Sequence, residues 1–132
     1  MTTEEGNKIL MEFLGINEDT AWMIATATII DFDNDWDLLM QVVDKVESLD
    51  GGHHGRFVVY ISSNTCSIQG TNLHKCLEPN SNYPSVYMSD PNAIFPTKIE
   101  STWYNLIKFV QWYEVAFSDY YKMYGGKQYF YL

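Results

Sequence analysis

The run Asp31-Phe32-Asp33-Asn34-Asp35-Trp36-Asp37 places four carboxylates on alternate residues. Alternate acidic side chains can converge on one hard cation, and carboxylates at positions 1, 3 and 5 open the calcium loop of an EF-hand. The rest of that pattern fails: Trp36 stands where the sharp turn needs glycine, and Val42 where the bidentate glutamate belongs. The other use of such a run is to start a helix. Asn34 or Asp35 then supplies the N-cap, and the remaining aspartates gain from the helix dipole. Four carboxylates this close also repel one another, so they suit an external cation such as the Lys or Arg of a partner.

Gly51-Gly52-His53-His54-Gly55, with His74 and Cys76, carries zinc-ligand residue types. It has no Cys-x-x-Cys and no helical His pair, and the glycines do not form a phosphate-binding loop. Cys66 or Cys76 beside a histidine would make a nucleophile–base pair, but no elbow or helix N-terminus accompanies either cysteine. The expectation is a chain that is not an enzyme and has no cofactor and no metal site.

Three helices can position these residues. The first spans about Glu4 to Leu14, with Thr2-Thr3-Glu4-Glu5 as a capping box, a stripe of Ile9, Leu10, Phe13 and Leu14, and Gly15 as its stop. The second starts near Asp35 and ends before Gly51. Its Trp36, Leu39, Met40, Val43 and Val46 recur at helical spacing and are expected to face the core, with Asp44, Lys45 and Glu47 opposite. The third opens at the capping-box pattern Thr97-Lys98-Ile99-Glu100 and keeps an apolar rhythm to Gly125, with a bend allowed near Ser118.

Between the second and third helices the period falls to two. Arg56 to Ile61 reads as a strand, Ser62-Ser63-Asn64 as a turn, Thr65 to Ile68 as the return, and Ser85 to Met88 as a third strand. Ala21 to Ile30 leans to strand, 70–84 is a long loop, and 125–132 is a tail or edge strand. The expected architecture is a single α+β domain over 1–132, with helices packed on a small antiparallel sheet in the order α-α-β-β-β-α.

Charge is divided unevenly. Up to Asp50 there are twelve acids against two bases, a balance of −10; from Gly51 onward there are five acids and six bases. This field repels nucleic acid and attracts a basic protein surface. The acidic start Met1-Thr2-Thr3-Glu4-Glu5 does not read as a secretory signal, and no stretch suits a bilayer, so the expected setting is cytoplasmic, with reduced thiols. Ten tyrosines and four tryptophans exceed the needs of a small core. Trp112, Tyr113 and Tyr120 fall off the main stripe of the third helix, so either that helix is buried on several sides or an aromatic patch is offered to a partner.

Three segments taken together resemble a group of small proteins encoded by bacteriophages and mobile elements. They are Asn7 to Gly15 (NKILMEFLG), Asp35 to Glu47 (DWDLLMQVVDKVE), and Lys98-Ile99-Glu100 through Phe109-Val110-Gln111-Trp112-Tyr113. The resemblance implies a viral or mobile-element setting and brings no established activity. This chain extends well past Tyr113 and carries the additional 70–84 segment.

The leading expectation is an acidic phage-type protein that binds and inhibits a basic host protein, such as a defence nuclease. Asp31, Asp33, Asp35, Asp37, Asp44 and Glu47 would imitate a phosphate track, and binding would weaken steeply with salt. Reversing Asp33, Asp35 and Asp37 together is the test available from sequence. The alternatives are a small-ligand module near the 70–84 loop, and a structural protein that self-assembles through its C-terminal aromatic helix.

Overall fold

The computed structural model describes residues 1–16, 30–49, 55–71 and 95–124, with 118–124 as helix backbone only. The described elements are α1 (Thr3–Phe13), α2 (Trp36–Ser48), β1 (Phe57–Ile61), β2 (Cys66–Gly70) and α3 (Lys98–Tyr124). Helices and a small antiparallel sheet make an α+β arrangement, in the order α-α-β-β-α. Among the described residues the sheet has two strands rather than three. The third candidate at 85–88, the tail at 125–132, residues 21–29 and residues 72–84 of the loop lie outside them.

Local chemistry sets the ends of α1. The Thr2 hydroxyl accepts the Glu5 N–H (3.2 Å), and the Glu5 carboxylate accepts the Thr2 N–H (3.3 Å), completing the capping box. At the other end the Gly15 N–H bonds to the Glu12 carbonyl and the Ile16 N–H to that of Met11. This is a Schellman closure, which needs the left-handed φ of +81° at Gly15. No base lies in the last turn of α1; instead Lys45 of α2 places its ammonium on the Phe13 carbonyl and over the Phe13 ring. Lys45 is therefore half-buried, where the sequence pattern put it on the solvent side, and loss of water pulls its pKa down.

α2 buries Leu39, Val43 and Val46 as expected, but its inner face is shifted toward Val42 and away from Trp36 and Met40. Leu39, Val42, Val43 and Val46 are buried, whereas Trp36 and Met40 are 37% and 39% exposed. Glu47 is not free on the far side either. Its carboxylate accepts the Val59 N–H (3.1 Å) and so ties α2 to β1.

Strand β1 pairs with β2 from Phe57↔Gly70 to Ile61↔Cys66 around the Ser62–Asn64 turn, which the Ser62 N–H closes on the Thr65 carbonyl. α3 runs for 27 residues, roughly 40 Å at the usual helical rise. The Thr97 hydroxyl receives the Glu100 N–H at its start. Leu106, Phe109, Val110, Tyr113 and Phe117 of α3 meet Phe57 and Ile68 of the sheet, Leu39 and Val43 of α2, and Leu10 and Phe13 of α1 in one core. Gly6 marks the closest approach of α1 to α3, since a Cβ there would lie 2.4 Å from the Trp103 ring.

Candidate interaction surface

The acidic run forms a turn followed by the first turn of α2. Phe32 is wholly buried and pins the turn into the core. Asn34 closes it: its N–H reaches the Asp31 carbonyl (3.1 Å), and its amide donates to the carboxylates of Asp31 (3.2 Å) and Asp33 (3.3 Å). Asp33 is held from outside the turn as well. Asn7 of α1 donates its amide to Asp33 Oδ1 at 2.9 Å, and the indole N–H of Trp103 in α3 donates to the Asn7 oxygen at 2.8 Å.

Asp35, not Asn34, is the cap. Its Oδ1 accepts the N–H groups of Asp37 (2.9 Å) and Leu38 (3.2 Å). Asp37 and Asp44 are exposed on α2.

The two carboxyls of the turn divide their affinity for protons. The hydrogen bond shared with Asp33 raises the Asp31 carboxyl above its usual range, against the Asn34 amide, which lowers it. Burial alone would raise Asp33, yet the hydrogen bonds from Asp31 and Asn7 bring it below the ordinary value. The turn is thus a braced anionic platform rather than a loose string of charges.

The expected site residues separate into three groups. Asp37 and Asp44 face solvent, with Asp35 beside them serving as a cap. Asp31 and Asp33 are partly buried in the turn's own network, and Glu47 is engaged by Val59. The aromatic candidates point elsewhere. Tyr113 is 2% exposed and stacks on Phe117 with ring centres 4.3 Å apart, so it belongs to the core and not to an open patch. Trp112 is half-buried, with its ring 5.6 Å from Phe109 and 6.0 Å from Phe57. Its neighbour on the expected patch, Tyr120, has a side chain outside the described residues. Tyr113 follows Leu106 and Val110 and precedes Phe117 at helical spacing, so the inward stripe is wider than the sequence pattern suggested.

Among the described residues no three His, Cys, Asp or Glu side chains converge to hold a metal ion. His53, His54, His74 and Cys76 lie outside those residues. Cys66 is buried, and its thiol is pushed up to about 11 by loss of solvent, the opposite of what a thiolate nucleophile needs. No described helix is long and apolar enough to cross a membrane.

Residues that the sequence pattern did not place on this surface complete it. Asn7 and Trp103 brace the acidic turn across the fold, and Trp36 and Met40 place apolar surface among its carboxylates. Trp36 and Met40 were expected in the core on their helical spacing, and their exposure corrects that expectation. No protein-family model, curated protein or solved structure matches the chain.

Proposed function

We propose that this chain is a non-catalytic, acidic interaction protein of bacteriophage type. It binds a basic surface on a nucleic-acid-binding host protein and inhibits that protein by occupying the surface. The observation that carries this reading is the fixed acidic platform formed by the Asp31–Asp37 turn and continued to Asp44 on the open face of α2. Anions held in place by Phe32, Asn7 and a helix cap lose little freedom on binding, so their attraction for a cationic surface is less offset by ordering. The inward packing of Tyr113 and Trp112 leaves those two rings to the core, which favours the acidic face over an aromatic assembly patch.

The structure changes how the idea is tested. Lysines at 33 and 35 would break the Asn7 bond and the helix cap as well as reverse charge, so the sequence-level triple reversal confounds folding with binding. Asp37→Lys with Asp44→Lys breaks neither the cap nor the Asn7 bond; the lysine at 37 opposes the helix dipole, so a thermal melt accompanies the binding measurement. Affinity capture from a bacterial lysate by the wild-type chain at low salt is expected to retain a basic nucleic-acid-binding protein. That protein is released by high salt, is lost from the double variant, and has its nucleic-acid binding blocked by the wild-type chain. Equal retention by the double variant overturns the reading.

A further inference from the structure

We propose that the open face of α2 reads arginine: a guanidinium of the basic partner stacks on Trp36 while pairing with a flanking carboxylate, foremost Asp37. The inference rests on the basic-partner reading above and narrows it to partners whose contacting side chains are arginines rather than lysines.

A single exposed tryptophan is ordinary on a protein surface. Here two large apolar side chains, Trp36 and Met40, stand one turn apart on the flank of α2 that borders Val43, 37% and 39% exposed, between the buried stripe and the exposed Asp37 and Asp44. The residues exposed with them are Asp35, Asp37, Gln41 and Asp44, so every charge on this face is negative. The one base of the helix, Lys45, is turned away onto the Phe13 carbonyl and ring. A face that is both apolar and anionic is complemented by a cation that is flat, weakly hydrated and able to stack.

Arginine fits that description better than lysine. Its planar guanidinium lies on an indole face and presents a fork of donors to a carboxylate, whereas the ammonium of lysine is compact and strongly hydrated. The helix N-terminus carries about half a positive charge, which alone would discourage a cation at Trp36. Four aspartates from position 31 to 37 outweigh it. A stem laid toward Met40 would keep apolar atoms against apolar surface.

The test uses labelled oligo-arginine and oligo-lysine peptides of equal length, titrated with the full chain at low salt and followed by fluorescence anisotropy. Wild type is expected to bind the arginine peptide roughly two- to fivefold more tightly than the lysine peptide, the range of a solvent-exposed cation–π contact. Trp36→Ala removes the preference and leaves lysine-peptide affinity unchanged, Trp36→Phe keeps part of it, and Asp37→Asn weakens both peptides. Thermal melts of each variant confirm that it is folded, and the phenylalanine variant preserves the test if the alanine variant is not. Equal affinity for the two peptides in wild type, or a preference that survives Trp36→Ala, overturns the arginine inference while leaving the basic-partner reading in place. Binding of neither peptide overturns both.

Discussion

The indole N–H of Trp103 donates to the side-chain oxygen of Asn7 at 2.8 Å across a sequence separation of 96 residues. The amide of the same Asn7 donates to Asp33 at 2.9 Å. One asparagine therefore joins α3, α1 and the acidic turn, and the position of the turn's carboxylates depends on how two helices pack.

Asn7→Ala deletes both bonds at once. The expected loss is about 1–3 kcal/mol, because one bond ends on a carboxylate and the indole N–H loses its acceptor. Urea unfolding measures it. The Asp33 carboxyl should also rise toward its ordinary value, which a carboxyl-carbon NMR titration reads directly. The sign follows from Asp33 lying below its unfolded value: its stabilisation is present above that value and is lost as pH falls through the folded pKa. In Asn7→Ala that acid-side loss should be smaller and complete at a higher pH, because only the folded value moves.

Gly6→Ala sets two effects against each other. Alanine in a helix interior is worth about 1 kcal/mol over glycine. The new methyl would lie 2.4 Å from Trp103 Cζ2 and 2.7 Å from Ile107 Cδ1. Ile107 can turn aside, but Trp103 is tethered by its bond to Asn7, so relief of the clash strains that bond. Overpacking of this kind costs about 1–3 kcal/mol, and we expect net destabilisation with a lower melting temperature. A rise in melting temperature would show that the crossing of α1 and α3 is looser than described.

Asp35→Asn and Asp35→Ala separate charge from capping. Asparagine caps about as well as aspartate, whereas alanine costs about 1 kcal/mol. Chemical denaturation should show Asp35→Asn near wild type and Asp35→Ala weakened. Binding of a basic partner should fall in both, since both remove a negative charge from the platform.

The Cys66 thiol is predicted to resist alkylation in the native protein. Its pKa stands at about 11 in the fold against an ordinary value of 9.0. A raised folded pKa means that its stabilisation is complete below pH 9 and is lost as pH climbs toward 11. Cys66→Ala should flatten that part of the alkaline stability curve by at most about 2–3 kcal/mol. Mass spectrometry after timed iodoacetamide treatment checks the reactivity, and rapid labelling of Cys66 below pH 9 would contradict the burial.

The helices were legible in the chain because their signals are local. Thr2 with Glu5, Asp35 with the N–H groups two and three residues on, Gly15 after Phe13 and Thr97 with Glu100 all act within one turn. The first strand pair was legible from period-two patterning around Ser62–Asn64. The facing of α2 was not. The expected stripe Trp36, Leu39, Met40, Val43 and Val46 shares Leu39, Val43 and Val46 with the buried one, and helical spacing alone cannot choose whether Val42 or Trp36 and Met40 complete it.

Tertiary packing made that choice. β1 and α3 cover the valine-rich side, Glu47 is drawn to the Val59 N–H, Lys45 to the Phe13 carbonyl, and Trp36 and Met40 are left outward among the aspartates. The sequence by itself determined the anionic charge and the helix starts, with the cap of α2 narrowed to Asn34 or Asp35, because charge and capping need only near neighbours. Which carboxylates are braced, which remain open, and that a tryptophan stands among the open ones were decided by contacts from 12 to 96 residues apart. Such contacts form only once distant segments bury a common core, and no local pattern encodes them.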